Sequence, residues 1–251
     1  ADGSTYVGAT EPPGQAHAEI VALNAAGSQA AGAVLATTLE PCAHTGRTGP
    51  CTEAIIEAGV RRVIIGIEDP DVNVAGAGIA QLRAAGIDVG VGVKADEITA
   101  QLASYLHHRR TGRPYVILKL AATVDGRTAA PDGESEWITG VAARTDVHQM
   151  RAESQAILVG SGTVRADDPA LTTRMVDGPS PRRIVLGTID ASAKVHPCTQ
   201  WTGTLPDLLD TLGKEGVVQL LVEGGARVAA SFHRERLINQ YIMHIAPVIA
   251  G

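Results

Sequence analysis

Apolar and polar positions alternate in blocks along the 251-residue chain, and the blocks change period. HAEIVALNAAG (17–27) carries the three-to-four-residue apolar spacing of a helix. GAVLATTLEP (32–41) is a strand-like run that Pro41 stops. PCTEAIIEAG (50–59) reads as a short helix, with Pro50 placed to open it and Gly59 to close it. RRVIIGIEDP (61–70) is a buried strand, GIAQLRAAG (78–86) a helix and IDVGVGV (87–93) a strand. This rhythm predicts a mostly parallel sheet with helices packed on its faces. Residues 94–108 read as one further helix ending in His107 and His108.

RRTGRP (109–114) is basic and punctuated by Gly112 and Pro114, which predicts a boundary between domains 1–109 and 113–251. The alternation then resumes. Strands are expected at 115–123, 156–160, 182–187, 217–225 and 240–248, and helices at 142–154, 205–214 and 226–237. Residues 188–204 carry no assignable element, and HPCTQWTGTLP (196–206) reads as though a segment were missing. The chain also stops directly after an apparent strand.

Composition narrows the function classes. Aromatic residues make up 3% of the chain, so the core is expected to be built from Ala, Val, Leu and Ile. The formal charge is −6, with no basic block or stripe, which argues against nucleic acid as a partner. No apolar run approaches the ~18–20 residues of a membrane span, so no membrane association is expected. ADGSTYVGA at the start shows no secretory pattern. Three cysteines are too few, and odd in number, for a disulfide scaffold; a reducing compartment, by default the cytoplasm, is expected.

Two of those cysteines, Cys42 and Cys51, lie in LEPCAHTGRTGPC (39–51). A disulfide, a metal site and a chance pairing are the three possibilities. Catalytic zinc takes three protein ligands and keeps a fourth position open, and His17 is the candidate third ligand. Glu19 then has the place of a proton shuttle. His-x-Glu followed by Pro-Cys and a second Cys is the order of the zinc-deaminase signature, with eight residues between the cysteines rather than two. In a helix, positions i and i+2 point about 200° apart at ~3.6 residues per turn. His17 and Glu19 can therefore reach one point only from a helix start. Cys51 opens the next helix, where the helix N-terminus favours a thiolate. Two thiolates and a neutral His around Zn²⁺ give a site near neutrality, and the ion lowers the pKa of its water to about 7 from ~15.7. A structural zinc remains the plainer alternative. His44, inside the loop, is either a substrate contact or a solvated residue.

In the second half, a strand ending in Gly224-Gly225 with a helix behind it is suited to cradle an anion, and Gly160-Ser161-Gly162 offers the same. Neither is the six-residue dinucleotide fingerprint, and each glycine pair alone is also an ordinary tight turn.

HAE, TLEPCAHTGRTGPCTEAIIEAGV and DPDVNVAGAGI together resemble the deaminase half of the bifunctional riboflavin-biosynthesis deaminase/reductase family, which carries a similar long loop between its zinc cysteines. Gly49 stands where that family usually has proline. The family's N-terminal helix and Asn-Pro-x-Val-Gly stretch have no match here, so the deaminase domain is expected to be incomplete at its N-terminus. KLAATVDGRTA (119–129), GESEWITG (133–140), AILVGSGTVRADDPALTTR (156–174) and LLVEGGARVAA (220–230) resemble the reductase half.

The resemblance implies a cytidine-deaminase-like α/β/α domain followed by a dihydrofolate-reductase-like α/β domain. It implies Zn²⁺ and NADPH as cofactors, a phosphorylated pyrimidine as substrate, and a homodimer through the second domain. Carried over position by position, Ser135, Arg151, Leu171, Arg174 and Glu223 match substrate-binding positions, the arginines suiting a sugar phosphate. Ala121, Trp137, Thr163, Asp167, Thr188 and the Gly225 loop match cofactor positions, although the loop reads Gly-Gly-Ala-Arg rather than Gly-Gly-Pro-Thr. Lys119 is placed to contact the reacting sugar. A zinc deaminase of a nucleoside or nucleic-acid base, and a non-catalytic zinc-stabilised module, are the competing readings.

Overall fold

The computed structural model describes residues 3–12, 14–46, 48–72, 74–128 and 139–249. The chain divides into two compact units, Ala1–Arg110 and Thr111–Gly251.

In the first unit, α1 (Ala18–Ala26) precedes β1 (Val34–Leu39), α2 (Cys51–Glu57), β2 (Arg62–Ile67), α3 (Ala77–Ala84) and β3 (Asp88–Val91). The strands form one sheet in the order β1-β2-β3 with parallel pairing throughout. Each strand-to-strand connection carries a helix, as parallel pairing requires. Ile55 of α2, Val63 and Ile65 of β2, and Ile79 and Leu82 of α3 close the core beneath the sheet. The run from 94 to 108, expected as one helix, is two: α4 (Ala95–Gln101) and α5 (Ala103–Thr111). At Leu102 the backbone leaves helical geometry (φ −96°, ψ 14°), and its N–H bonds back to Ala100 and Ile98. No Gly or Pro marks this break, so the apolar spacing runs through it unchanged.

Among the described residues the second unit has six strands in the order β7-β6-β5-β8-β4-β9, again parallel in every pairing. They are β4 (Tyr115–Thr123), β5 (Ala156–Gly160), β6 (Arg182–Leu186), β7 (Thr199–Trp201), β8 (Gln219–Val222) and β9 (Gln240–Ala246). The helices are α6 (Val141–Glu153), α7 (Ser161–Asp167), α8 (Leu205–Lys214) and α9 (Ala226–Arg234). Alternate strand residues feed two cores. Val116, Leu118, Leu158 and Val222 pack with Leu208, Leu209 and Leu212 of α8 and Phe232 of α9. Ile117, Ile157, Val159 and Leu221 pack with Val147 and Met150 of α6 and Val164 of α7. Burial on both faces explains why these strands read as unbroken apolar runs.

Two elements escaped the sequence pattern. β7 falls inside the unassigned 188–204 stretch and is three residues long, too short to show a period. The Gly160-Ser161-Gly162 turn is the start of α7, with Gly160 as its N-cap.

Gly78 ties α3 to the cysteine loop. A Cβ there would stand 2.0 Å from the Pro41 carbonyl oxygen and 3.2 Å from Glu40 Oε1. Gly78→Ala is therefore expected to destabilise the first unit by about 1–3 kcal/mol. Thermal denaturation should show a lower midpoint than for Gly49→Ala, where the added Cβ meets nothing within 4 Å. Equal midpoints would contradict the close approach.

Candidate functional site

His17 is the N-cap of α1, in extended geometry (φ −76°, ψ 161°), and Glu19 lies in that helix's first turn. Cys51 is the first residue of α2, behind Pro50. Cys42 follows the carboxyl end of β1. These placements bring together residues far apart in sequence. His17 Nδ1 lies 3.3 Å from Cys51 Sγ and 3.6 Å from Cys42 Sγ. One ligand atom from each of the three falls within 4.8 Å of the others.

The spacing suits zinc. A tetrahedral ion at ordinary Zn–N and Zn–S lengths holds nitrogen and sulfur about 3.6 Å apart. Cys42 is pulled down to about 5, first by its hydrogen bond with Cys51, while the contact with Cys42 and burial push Cys51 up. A dication between them would stabilise both as thiolates. The Cys51 backbone N–H also points at Cys42 Sγ, 3.4 Å away.

Glu19 stands beside this cluster. Its Oε2 is 3.8 Å from Cys51 Sγ, and Oε1 accepts from Thr37 Oγ1 at 3.4 Å. Burial raises its pKa above the ordinary carboxyl value, partly offset by its own backbone N–H and by His17. His44 is exposed on the loop and is not one of the clustered donors.

Glu40, which the sequence reading passed over, braces the site. Its side chain is 4% exposed. Oε2 accepts the backbone N–H groups of Asp69 and Gly76 at 3.3 and 3.0 Å, and Oε1 that of Ile79 at 3.0 Å. A buried carboxylate is tolerable only with such partners. Thr52 Oγ1 adds a bond to the Cys42 carbonyl at 3.2 Å. The available signal was a charge between an apolar strand and a proline, in TLEPC.

In the second unit, a cavity of about 990 Å³ opens at the carboxyl edge of the sheet. Lys119, Ala121, Arg151, Leu171, Arg174 and Glu223 line it, as do Thr163 and Asp167 of α7. Period two explains the first and last of these strand residues. Lys119 continues the inward face of Ile117, and Glu223 that of Leu221, so charge replaces apolar surface where the β4–β8 pairing stops after Leu118 and Val222. Burial lowers the Lys119 pKa, with Arg151 acting the same way and Glu223 opposing. Arg151 and Glu223 form a bidentate pair, Nε to Oε1 at 2.7 Å and Nη2 to Oε2 at 2.8 Å, with both side chains 11% exposed. Arg151 Nη1 also donates to the Thr172 carbonyl at 3.2 Å. Three of its five donors are thus committed within the protein. Arg174 is exposed, with one described bond from its guanidinium, to Thr172 Oγ1.

Gly225 is the N-cap of α9, and a Cβ on it would lie 3.8 Å from Thr163 Oγ1, so it borders the cavity without lining it. A Cβ on Gly162 would meet nothing within 4 Å. These residues fit a dinucleotide approaching the strand ends. Thr188 is exposed and is not among the residues that line the cavity. Ser135 and Trp137 lie outside the described residues. His148 lines the cavity and was not singled out from sequence, although it sits three residues before Arg151 on the same helical face.

Two cysteines and one histidine form the ligand set of catalytic zinc, and the adjoining glutamate makes the class a hydrolytic deaminase, joined here to a second α/β unit with a cofactor-sized cavity. Comparison with known proteins agrees. Residues 4–67 match the cytidine and deoxycytidylate deaminase zinc-binding region, and residues 114–251 the RibD C-terminal domain. The chain is 43% identical over 256 residues to the riboflavin biosynthesis protein RibD of Mycobacterium tuberculosis (strain ATCC 25618 / H37Rv), covering 97% of this chain and 75% of that protein. The Escherichia coli K12 RibD is 39% identical over 281 residues, covering 95% and 77%. The structure of Acinetobacter baumannii RibD matches at a TM-score of 0.88 and 40% identity, over 95% of this chain and 76% of that one. That of the Thermotoga maritima diaminohydroxyphosphoribosylaminopyrimidine deaminase/5-amino-6-(5-phosphoribosylamino)uracil reductase matches at 0.85 and 33%, over 95% and 75%. The chain belongs to the RibD family of riboflavin-biosynthesis deaminase/reductases.

Cys42→Ala is expected to lower bound zinc from one per chain to near none, while Cys198→Ala, in the second unit, keeps it. Metal analysis of the purified variants checks this. Zinc retained in folded Cys42→Ala would contradict the ligand set.

Proposed function

We propose that this chain performs two consecutive steps of riboflavin biosynthesis. Residues 1–109 deaminate 2,5-diamino-6-ribosylamino-4(3H)-pyrimidinone 5′-phosphate. Residues 113–251 then reduce the ribosyl group of the product to ribityl. The observation that carries the reading is the three-donor cluster with Glu19 beside it, on one chain with a cationic cavity at a second set of strand ends.

Zinc at His17, Cys42 and Cys51 supplies an activated water near neutral pH. Glu19, its carboxyl pKa raised by burial, would move one proton from the water to the ring nitrogen and then a second, from the newly added hydroxyl, to the amino group, which leaves as ammonia. NADPH supplies the hydride in the second unit, with Ala121, Thr163, Asp167 and the Gly225 turn as its contacts and Ser135, Trp137 and Thr188 as further positions carried by family resemblance. Arg174 has donors to spare for the substrate phosphate, Lys119 faces the reacting sugar, and Arg151 and Glu223 frame the pocket as a pair. His44 contacts the pyrimidine phosphate in the first unit.

The substrate is small and diffusible, and no nucleic acid takes part. Among the described residues no helix is long and apolar enough to cross a membrane. Three free cysteines suit the cytoplasm. A homodimer through the second unit is supported by edge strand β9, which exposes Tyr241, Met243 and Ile245.

Glu19→Gln should cut ammonia release by about 10²–10⁴-fold, the usual share of a general acid–base. NADPH oxidation should persist when the deaminated substrate is supplied. Coupled ammonia and absorbance assays read both; loss of both in a folded variant would contradict two independent sites.

A further inference from the structure

His148 has no part in the reactions described above, yet it sits at the wall of the second cavity. It belongs to α6, is 6% exposed, and faces the segment that carries Leu171 and Arg174. Its Nδ1 lies 3.0 Å from the Arg174 backbone nitrogen, which donates to it. An imidazole nitrogen accepts a hydrogen bond only when it bears no proton, so the ring must be neutral with its hydrogen on Nε2.

The segment needs such an anchor. It lies outside helix and strand, and Leu171 holds a left-handed backbone (φ +53°) that a branched side chain rarely adopts. Other bonds fix its neighbours. The Thr172 carbonyl takes Arg151 Nη1, the Thr173 N–H goes to Ser180 Oγ, and Thr173 Oγ1 donates to the Pro179 carbonyl. Among the described residues, the bond to His148 holds the backbone N–H of Arg174.

We propose that His148 is a positioning residue of the reductase site, a neutral imidazole that sets the backbone from which Arg174 reaches the substrate phosphate. This rests on the reductase reading given above.

The surroundings keep the ring neutral. Burial, Arg151 on its own helix and Arg174 on the segment lower the His148 pKa below its ordinary 6.5, while Glu223 at the end of β8 and the Thr172 backbone oppose them. A lowered folded pKa means the bond is intact above 6.5 and is lost as pH falls through the folded value. Substrate KM should therefore rise on the acid side.

Two variants separate positioning from packing. His148→Leu fills the space without an acceptor, whereas His148→Asn places a carbonyl oxygen near the position of Nδ1. With deaminated substrate and NADPH, the leucine variant should raise KM about five- to tenfold with kcat nearly unchanged, the loss of one hydrogen bond. The asparagine variant should recover most of that KM and flatten its acid rise, because its amide does not titrate. Equal KM in the two variants, or an acid rise in His148→Asn as steep as that of the unaltered chain beyond what the substrate phosphate's own ionisation gives, overturns the proposal. If His148→Leu does not fold, the pH profile of His148→Asn decides alone.

Amide hydrogen exchange at Arg174 gives a readout that needs no turnover. It should quicken in His148→Leu and stay slow in His148→Asn; no change in His148→Leu overturns the proposal. A wild-type chain that oxidises no NADPH with this substrate removes the reductase reading instead, and the exchange rates still judge the bond.

Discussion

In a parallel sheet every strand ends on the same edge, and the helix that follows begins there. Both sites depend on this constraint. In the first unit it brings the end of β1 and the starts of α1 and α2 to one point, where Cys42, His17 and Cys51 meet. In the second it turns Lys119 and Glu223, each one step past an apolar inward face, into the floor of a cavity. The helix starts contribute partial positive charge where thiolates or phosphates are needed. The topology brings these ends together, and Glu40, Thr52 and Gly78 fix the loop that carries Cys42.

Charge at those edges has to be partnered, and the chain does so with few groups. Glu40 uses both oxygens on three backbone amides and so connects the cysteine loop to α3. Arg151 and Glu223 neutralise one another at the cavity wall. Such a pair adds little net stability, since desolvation offsets attraction, but removing one partner leaves a buried charge. Its value here is geometric. It holds Arg151 against the Thr172 carbonyl and leaves Arg174 as the cation with donors facing outward. Packing supports the same arrangement: Gly224 is buried, and a Cβ on it would meet Val228 at 2.5 Å, so α9 closes directly on the end of β8.

Most of the fold was legible because the central strands β2, β4, β5 and β8 are largely buried and read as apolar runs. The metal site was legible for a related reason. His17, Glu19, Pro50 and Cys51 occupy helix-start positions that local sequence can reveal, and Cys42 follows a strand stopped by Pro41. What stayed hidden depends on distance or brevity. The Arg151–Glu223 pair spans 72 residues, so nothing local shows that the arginine's fork is already engaged. β7 is shorter than any period, and α7 begins in two glycines that look like a turn. The interruption at Leu102 leaves the apolar pattern intact. His148 and Glu40 were missed because a buried polar residue is visible in sequence only as a break in a pattern, without its partners.

The central claim is that His17, Cys42 and Cys51 hold a zinc ion with one position left for water. X-ray absorption at the zinc edge of the purified chain tests it most directly. The account predicts two sulfurs at about 2.3 Å, one nitrogen at about 2.0–2.1 Å and one further light-atom ligand that exchanges with added anions. A closed shell of four protein ligands, or a shell lacking two sulfurs, would contradict it.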